Sequence, residues 1–160
     1  MGQVIGRGDV GRLAASLRRQ DMKTVLTNGC FDLLHIGHLR YLRAAKAIGD
    51  VLLVGVNCDA RVRALKGPER PYVPEAERVE MIAGLAPVDY AFIFSEDTAA
   101  GLVREIRPDI YAKGGDYREE DIPEAPEVRA CGARLVILPL VPGRSTTGLA
   151  ARVTVSHIGV

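Results

Sequence analysis

An excess of charge of either sign is nearly absent from this chain: 21 Lys plus Arg face 20 Asp plus Glu, a formal net charge of +1. That balance excludes wrapping nucleic acid or docking on an anionic membrane as the main task. Aromatic residues are scarce at 5%, leaving few rings on which bases could stack. The three cysteines, Cys30, Cys58 and Cys131, are odd in number and include no CxxC. A disulfide framework or a zinc site is not expected, and reduced thiols in a cytosol fit better. No apolar run approaches the roughly 20 residues of a membrane helix. Residues 1–12 carry no apolar segment of the signal-peptide kind. No internal repeat or low-complexity segment occurs. The expectation is a soluble, cytoplasmic chain with one compact domain over residues 1–160, no nucleic-acid partner and no membrane partner.

What is present alternates. Val10, Leu13, Ala14 and Leu17 predict a short amphipathic helix capped by Asp9, within a helical extension over 1–22. Residues 24–27 read as a strand. Leu39, Leu42, Ala45, Ala47 and Ile48 follow at helical spacing, closed by Gly49. Residues 51–56 are continuously apolar, as in a parallel strand covered on both faces. Residues 57–74 lack strong periodicity and read as a long loop of the kind that often carries function. Pro74 opens a helix to Ala83. Strands are expected at 88–94, 110–112 and 134–139, and helices at 98–106, 124–130 and from Ser145 to about Arg152. The tail, 154–160, has no assigned structure. This order predicts an α/β fold: Rossmann-like and doubly wound, with a mostly parallel five-stranded sheet and helices on both faces. Ligands bind such sheets at the carboxyl ends of the strands, where the motif-bearing loops converge.

The densest signal runs from Thr27 to His38: Thr-Asn-Gly-Cys-Phe-Asp-Leu-Leu-His-Ile-Gly-His. It joins a strand to a helix, with His35 and His38 at the helix start. The first helical N–H groups lack partners and carry the positive dipole end, which makes a ready anion site. Two imidazoles three residues apart add donors on one face. Gly37 lets a ligand approach the backbone, and Asn28, Gly29 and Asp32 are turn formers. Phosphate binding is therefore expected over metal binding, for which a third ligand is not evident.

Three further constellations carry chemistry. Lys66 and Arg70 lie in the long loop, shaped by Gly67 and Pro68; the plain alternative is a solvated charged loop. Lys113, Gly114, Gly115, Asp116 and Tyr117 follow a strand. Lys113 is expected to meet a phosphate, while Gly114 to Tyr117 line a nucleotide or sugar pocket. Asp116 is placed to accept from a hydroxyl or an exocyclic amine. Arg144, Ser145, Thr146 and Thr147 open the last helix, where the hydroxyls also suit an ordinary N-cap. Asn57 and Asp59 end a strand and are assigned to sugar-phosphate contact or to positioning Lys66. Arg78 is a weaker candidate for the same roles. Cys30 has no partner base and is not expected to be a nucleophile.

The stretch from Gly29 to His38 resembles the signature of the HIGH-motif nucleotidyltransferases, the cytidylyltransferase-like superfamily, and the likeness extends from Thr27 to Val153. Within it, the pattern most resembles heptose-1-phosphate adenylyltransferases, which occur free-standing or as the C-terminal domain of a bifunctional heptose kinase–adenylyltransferase. The residues that carry this likeness are Thr27 to His38, Gly55 to Asp59, Lys66-Gly67 with Arg70-Pro71, Lys113 to Tyr117, and Arg144 to Thr147.

The resemblance implies transfer of AMP from ATP to a sugar 1-phosphate, D-glycero-D-manno-heptose 1-phosphate, with release of pyrophosphate. It places His35, His38, Lys66 and Lys113 in catalysis. Asn28, Gly29, Cys30, Phe31 and Gly37 would bind nucleotide with Gly114, Asp116, Tyr117 and the 144–147 run. Asp32, Asn57, Asp59, Arg70 and Arg78 would contact the sugar phosphate or position loops. Mg²⁺ is expected with ATP, held by phosphate and water, with no protein metal ligands. A homodimer is in keeping with related enzymes. Two alternatives stand beside this reading: a cytidylyltransferase or FAD-synthetase-type enzyme of the same superfamily, and a non-catalytic nucleotide-binding module.

Overall fold

The computed structural model describes residues 2–139 together with Gly148 and Ala150. The chain runs β1 (Gln3–Val4), α1 (Val10–Arg19), β2 (Thr24–Gly29), α2 (Ile36–Lys46), β3 (Val51–Asn57), α3 (Asp59–Lys66) and α4 (Glu75–Ala83). It continues through β4 (Tyr90–Phe94), α5 (Ala100–Ile106), β5 (Ile110–Gly114), α6 (Ala125–Ala130) and β6 (Arg134–Leu138). Among the described residues the strands form one sheet in the order β1-β4-β3-β2-β5-β6, every neighbouring pair parallel. The order reverses between β2 and β5, which opens a crevice at their carboxyl ends.

Side chains that alternate along each strand build two cores. On one face Leu26, Leu53, Phe92 and Phe94 pack with Val10 and Leu17 of α1 and Leu102 and Ile106 of α5. On the other, Val25, Leu52, Val54 and Val56 pack with Leu42 of α2 and Ile82 of α4. All seven residues of β3 are buried, as expected of a central parallel strand. Tyr41 fastens α2 to this frame: its hydroxyl donates to the Ala112 carbonyl (3.0 Å) and meets the Thr27 hydroxyl at 2.6 Å.

The structure departs from the sequence reading in four places. The sheet has six strands rather than five, because Gln3–Val4 pairs with β4. Two exposed residues carry no periodicity that could announce a strand. The 57–74 segment contains α3, of which only Val62 is buried, so no apolar stripe was there to read. Asp9 does not cap α1: it has helical φ and ψ, makes no cap hydrogen bond, and pairs with Arg12 instead. Pro74 is the residue before α4 rather than its first. Among the described residues no helix is long and apolar enough to cross a membrane.

Candidate active site

The β2–α2 junction forms because the chain leaves the sheet through a tight left-handed bend at Phe31 (φ 49°). That backbone is uncommon for an aromatic residue. It is held by Arg78, whose Nη1 donates to the Cys30 carbonyl at 2.5 Å. The Phe31 ring meets the His38 ring edge-on, with centroids 5.4 Å apart. His35 then sits at the N-cap of α2 in extended conformation (φ −143°, ψ 170°).

The two histidines form a reciprocal cap. Gly37 N–H donates to Nδ1 of His35 (3.1 Å), and His35 N–H donates to Nδ1 of His38 (3.4 Å). A ring nitrogen that accepts carries no proton, so in both imidazoles the proton lies on Nε2. The rings stack with centroids 3.9 Å apart. Burial, then the His35 ring and the Lys66 ammonium, push His38 down to about 4 from its ordinary 6.5. His38 is thus a neutral donor at neutral pH. Both histidines line a cleft of about 700 Å³ at the carboxyl ends of the strands.

Lysines approach this cleft from two sides. Lys66 ends α3, just before Gly67, which turns the chain with φ 102°. It makes no ion pair among the described residues. Lys113, near the end of β5, is engaged three ways: Nζ lies 3.3 Å from Asn28 Oδ1, 3.2 Å from the Tyr111 hydroxyl and 3.4 Å from Glu124 Oε2. The Tyr111 hydroxyl in turn donates to Asn28 Oδ1 (2.6 Å), and burial keeps that phenol protonated. Glu124 is buried and also accepts from Ala99 N–H (3.1 Å). Lys113 therefore meets an incoming anion only by exchanging one of these partners.

A paired imidazole donor at a helix N-terminus, with two lysines converging on it, can bind several phosphate oxygens at once. Residues 26–138 match the family model described as cytidylyltransferase-like. The chain belongs to the cytidylyltransferase-like family. It is 47% identical over 136 residues to "Bifunctional protein HldE" of Syntrophotalea carbinolica, covering 85% of this chain and 28% of that protein. The HldE of Streptomyces coelicolor is 49% identical over 144 residues, covering 90% of this chain and 31% of that protein. The chain thus spans under a third of the length of these relatives. A solved structure of a lipopolysaccharide core biosynthesis protein from Thermoplasma volcanium is 30% identical, with a TM-score of 0.61 over 75% of this chain and 97% of that one.

In this member of the cytidylyltransferase-like family the candidate residues separate into two groups. His35, His38, Lys66 and Lys113 line the cleft with Asn28, Gly29, Cys30, Phe31, Gly37, Asn57, Gly114 and Tyr117. Burial pushes the Cys30 thiol up, against the pull of Lys66 and Arg78, so it stays protonated. Asp32, Asp59, Arg70 and Arg78 are not on the cleft wall. Asp32 is buried, pairs with Arg70 (2.7 Å) and accepts from the N–H groups of Tyr72 (2.7 Å) and Val73 (3.2 Å). Burial opposes this charge, but Arg70 and the two N–H groups outweigh it and hold the carboxyl below its usual range. Arg70 also lies over the Tyr72 ring, 4.2 Å from its centroid.

Arg78, the weaker candidate for contact with the sugar phosphate, is fully buried and does not reach the cleft wall. Besides Cys30 it donates to the Val73 carbonyl (2.8 Å) and to Asp59 Oδ1 (2.7 Å). These four residues tie the 67–74 loop and the start of α3 to the histidine turn. Asp116 is exposed and does not line the cleft, although its neighbour Tyr117 does. Arg144, Ser145, Thr146 and Thr147 lie outside the described residues. Sequence reasoning missed Glu124, Arg61 and Asp97, all on the cleft wall. Glu124 and Asp97 stand in sequence beside other acidic residues, and Arg61 lies in the segment read as loop; none carries a local motif.

Proposed function

We propose that this chain is one nucleotidyltransferase domain that transfers AMP from ATP to D-glycero-D-manno-heptose 1-phosphate, giving ADP-heptose and pyrophosphate. The observation that carries it is the capped histidine pair. Both Nε2 protons are fixed by backbone hydrogen bonds, in a cleft that also receives Lys66 and Lys113. Kinship to the HldE proteins supports the heptose acceptor over the other acceptors of the superfamily. A sugar-phosphate oxygen is already ionised, so the reaction needs positioning and charge stabilisation rather than a protein nucleophile. His35 and His38 donate to the phosphate oxygens that gain charge, and Lys66 neutralises the leaving pyrophosphate. Lys113 does so on releasing Glu124. Ser145 and Thr146 anchor the departing phosphates.

Among the described residues no cluster of three His, Cys, Asp or Glu could hold a metal ion. Mg²⁺ fits here as the companion of ATP, carried by phosphate and water ligands, and it supplies neutralisation of phosphate charge. The setting is the cytoplasm, where ATP is available, and a homodimer is the assembly in keeping with the family resemblance.

The test is pyrophosphate release in the presence of Mg²⁺, with ATP, CTP and GTP each offered against both anomers of the heptose 1-phosphate. Turnover with ATP and one anomer supports the assignment. Activity only with CTP and glycerol 3-phosphate, or with ATP and FMN, overturns the acceptor and keeps the chemistry. No release with any pair makes the chain a nucleotide-binding module.

A further inference from the structure

The roles proposed above leave one cleft cation unused. Arg61 rises from the first turn of α3 and lines the cleft beside Asn57 and Lys66. Its Nη1 lies 3.3 Å from Asp97 Oδ1. Its Nε, by contrast, is buried and has no hydrogen-bond partner among the described residues. An arginine cannot shed that proton, and buried donors in native proteins are nearly always paired. The Asp97 carboxylate is 93% exposed and holds only the Nη1 corner of the guanidinium. The opposite edge, Nε with Nη2, is the pair of parallel donors that fits a phosphate in bidentate fashion.

Position in the sheet separates this edge from the expected nucleotide end. Gly114 ends β5 and Tyr117 follows it, on one side of β2. Arg61 follows β3, and Asp97 and Thr98 follow β4, on the other side. The β5 side offers the Gly114 backbone, the Tyr117 ring and the apolar Ile122, beside Asp121 and a Lys113 ammonium already paired with Glu124, which suits a flat base next to its phosphates. The β3–β4 side offers an amide, a guanidinium, a carboxylate and a hydroxyl, from Asn57, Arg61, Asp97 and Thr98. That set suits an anion rich in hydroxyls.

We infer that Arg61 binds the phosphate of the sugar 1-phosphate acceptor through its Nε–Nη2 edge, with Asp97 steadying the guanidinium from Nη1. This rests on the adenylyl transfer proposed above. The acceptor phosphate enters on the β3–β4 side of His35 and His38, while ATP occupies the β5 side. Arg61 thereby selects acceptors that carry a phosphate and does not discriminate between nucleotides.

The test is steady-state kinetics of the full chain as Arg61→Gln, Arg61→Lys and Asp97→Asn, varying heptose 1-phosphate and MgATP in turn. Arg61→Gln is expected to raise KM for the sugar phosphate about ten- to a hundredfold, the range of one lost charge-assisted hydrogen bond. KM for ATP and the melting temperature stay at wild-type values. Arg61→Lys recovers part of the loss, since it restores charge without the fork. Asp97→Asn, at an exposed position, raises the same KM several-fold and covers the case in which Arg61→Gln fails to fold. An unmoved sugar-phosphate KM, or a KM for ATP that rises in step, overturns the assignment of Arg61. Wild-type silence with every sugar 1-phosphate overturns the proposed reaction and the assignment of Arg61 with it, and is told apart by needing no variant at all.

Discussion

His35 and His38 hold one another in place: the backbone N–H of His35 donates to Nδ1 of His38, while Nδ1 of His35 takes the N–H of Gly37. This is a capping box made of imidazoles. The orphan donors that any helix start must satisfy are used here to choose a tautomer. The same hydrogen bonds that begin α2 therefore leave two Nε2–H donors fixed in one orientation, without any reorganisation when substrate arrives.

Substitutions can separate the cap from the donor. His35→Asn keeps an acceptor at the N-cap, and His38→Gln keeps a polar side chain of similar reach. Each is expected to lower kcat by about a hundredfold or more, the scale of a lost transition-state donor. The melting temperature stays within a few degrees of wild type. Near-normal turnover in either variant would remove the histidines from the chemistry.

His38 also makes a prediction for stability against pH. Its folded value is pushed down to about 4, chiefly by burial and then by His35 and Lys66, from an ordinary 6.5. Between these values the unfolded chain takes up a proton that the folded chain refuses. The stability from the neutral ring is thus complete above about pH 6.5 and is lost as pH falls toward 4. The loss is about 2 to 3 kcal/mol, allowing for partial solvent screening. Urea unfolding at several pH values in this window should show it, and His38→Gln should flatten the curve. Parallel curves for the two proteins would contradict the shift.

Asp32 and Arg70 are expected to act at a distance from the cleft. Their ion pair is almost wholly removed from solvent, with side chains 0% and 12% exposed. Removing one partner of such a pair strands the other, at a cost of about 3 kcal/mol. Asp32→Asn should show that loss in denaturant. The 67–74 loop then loosens, and Lys66 is no longer held on the cleft. A displacement of this kind should lower kcat by about ten- to a hundredfold. Lost stability with unchanged kcat would show that the pair does not position Lys66.

Local chemistry made part of this protein legible from its sequence. The strand, turn and histidine pair between Thr24 and His38 announce themselves because each signal is confined to a few neighbouring residues. The alternation of apolar runs gives the parallel sheet in the same way. Helix α3 was invisible because a helix with only Val62 buried has no stripe. Asp32 and Arg70 are 38 residues apart, and Arg78 and Cys30 are 48 apart. No spacing rule links a carboxylate or a carbonyl to a guanidinium at that range. Arg78 therefore carries no sequence sign of its burial, although it is among the largest fully buried side chains of the described residues. Arg61 and Glu124 gain meaning only from what the fold lays beside them.

Two glycines separate conformational need from mere presence. Gly115 has φ 144°, and a Cβ there would lie 2.6 Å from the Tyr117 ring. Gly115→Ala must strain the backbone and displace the ring that stands on the cleft wall. A loss of about 1 to 3 kcal/mol is expected from the backbone alone. KM for ATP should rise as Tyr117 moves, with kcat less affected. Gly101 lies within α5 with ordinary φ, and a Cβ there meets nothing within 4 Å. Gly101→Ala should instead stabilise the fold by about 0.5 to 1 kcal/mol, because alanine gives up less chain entropy in a helix. Thermal unfolding of both variants beside nucleotide titrations reads the contrast directly. A stabilised Gly115→Ala with unchanged affinity for ATP would mean that Tyr117 takes no part in holding the nucleotide.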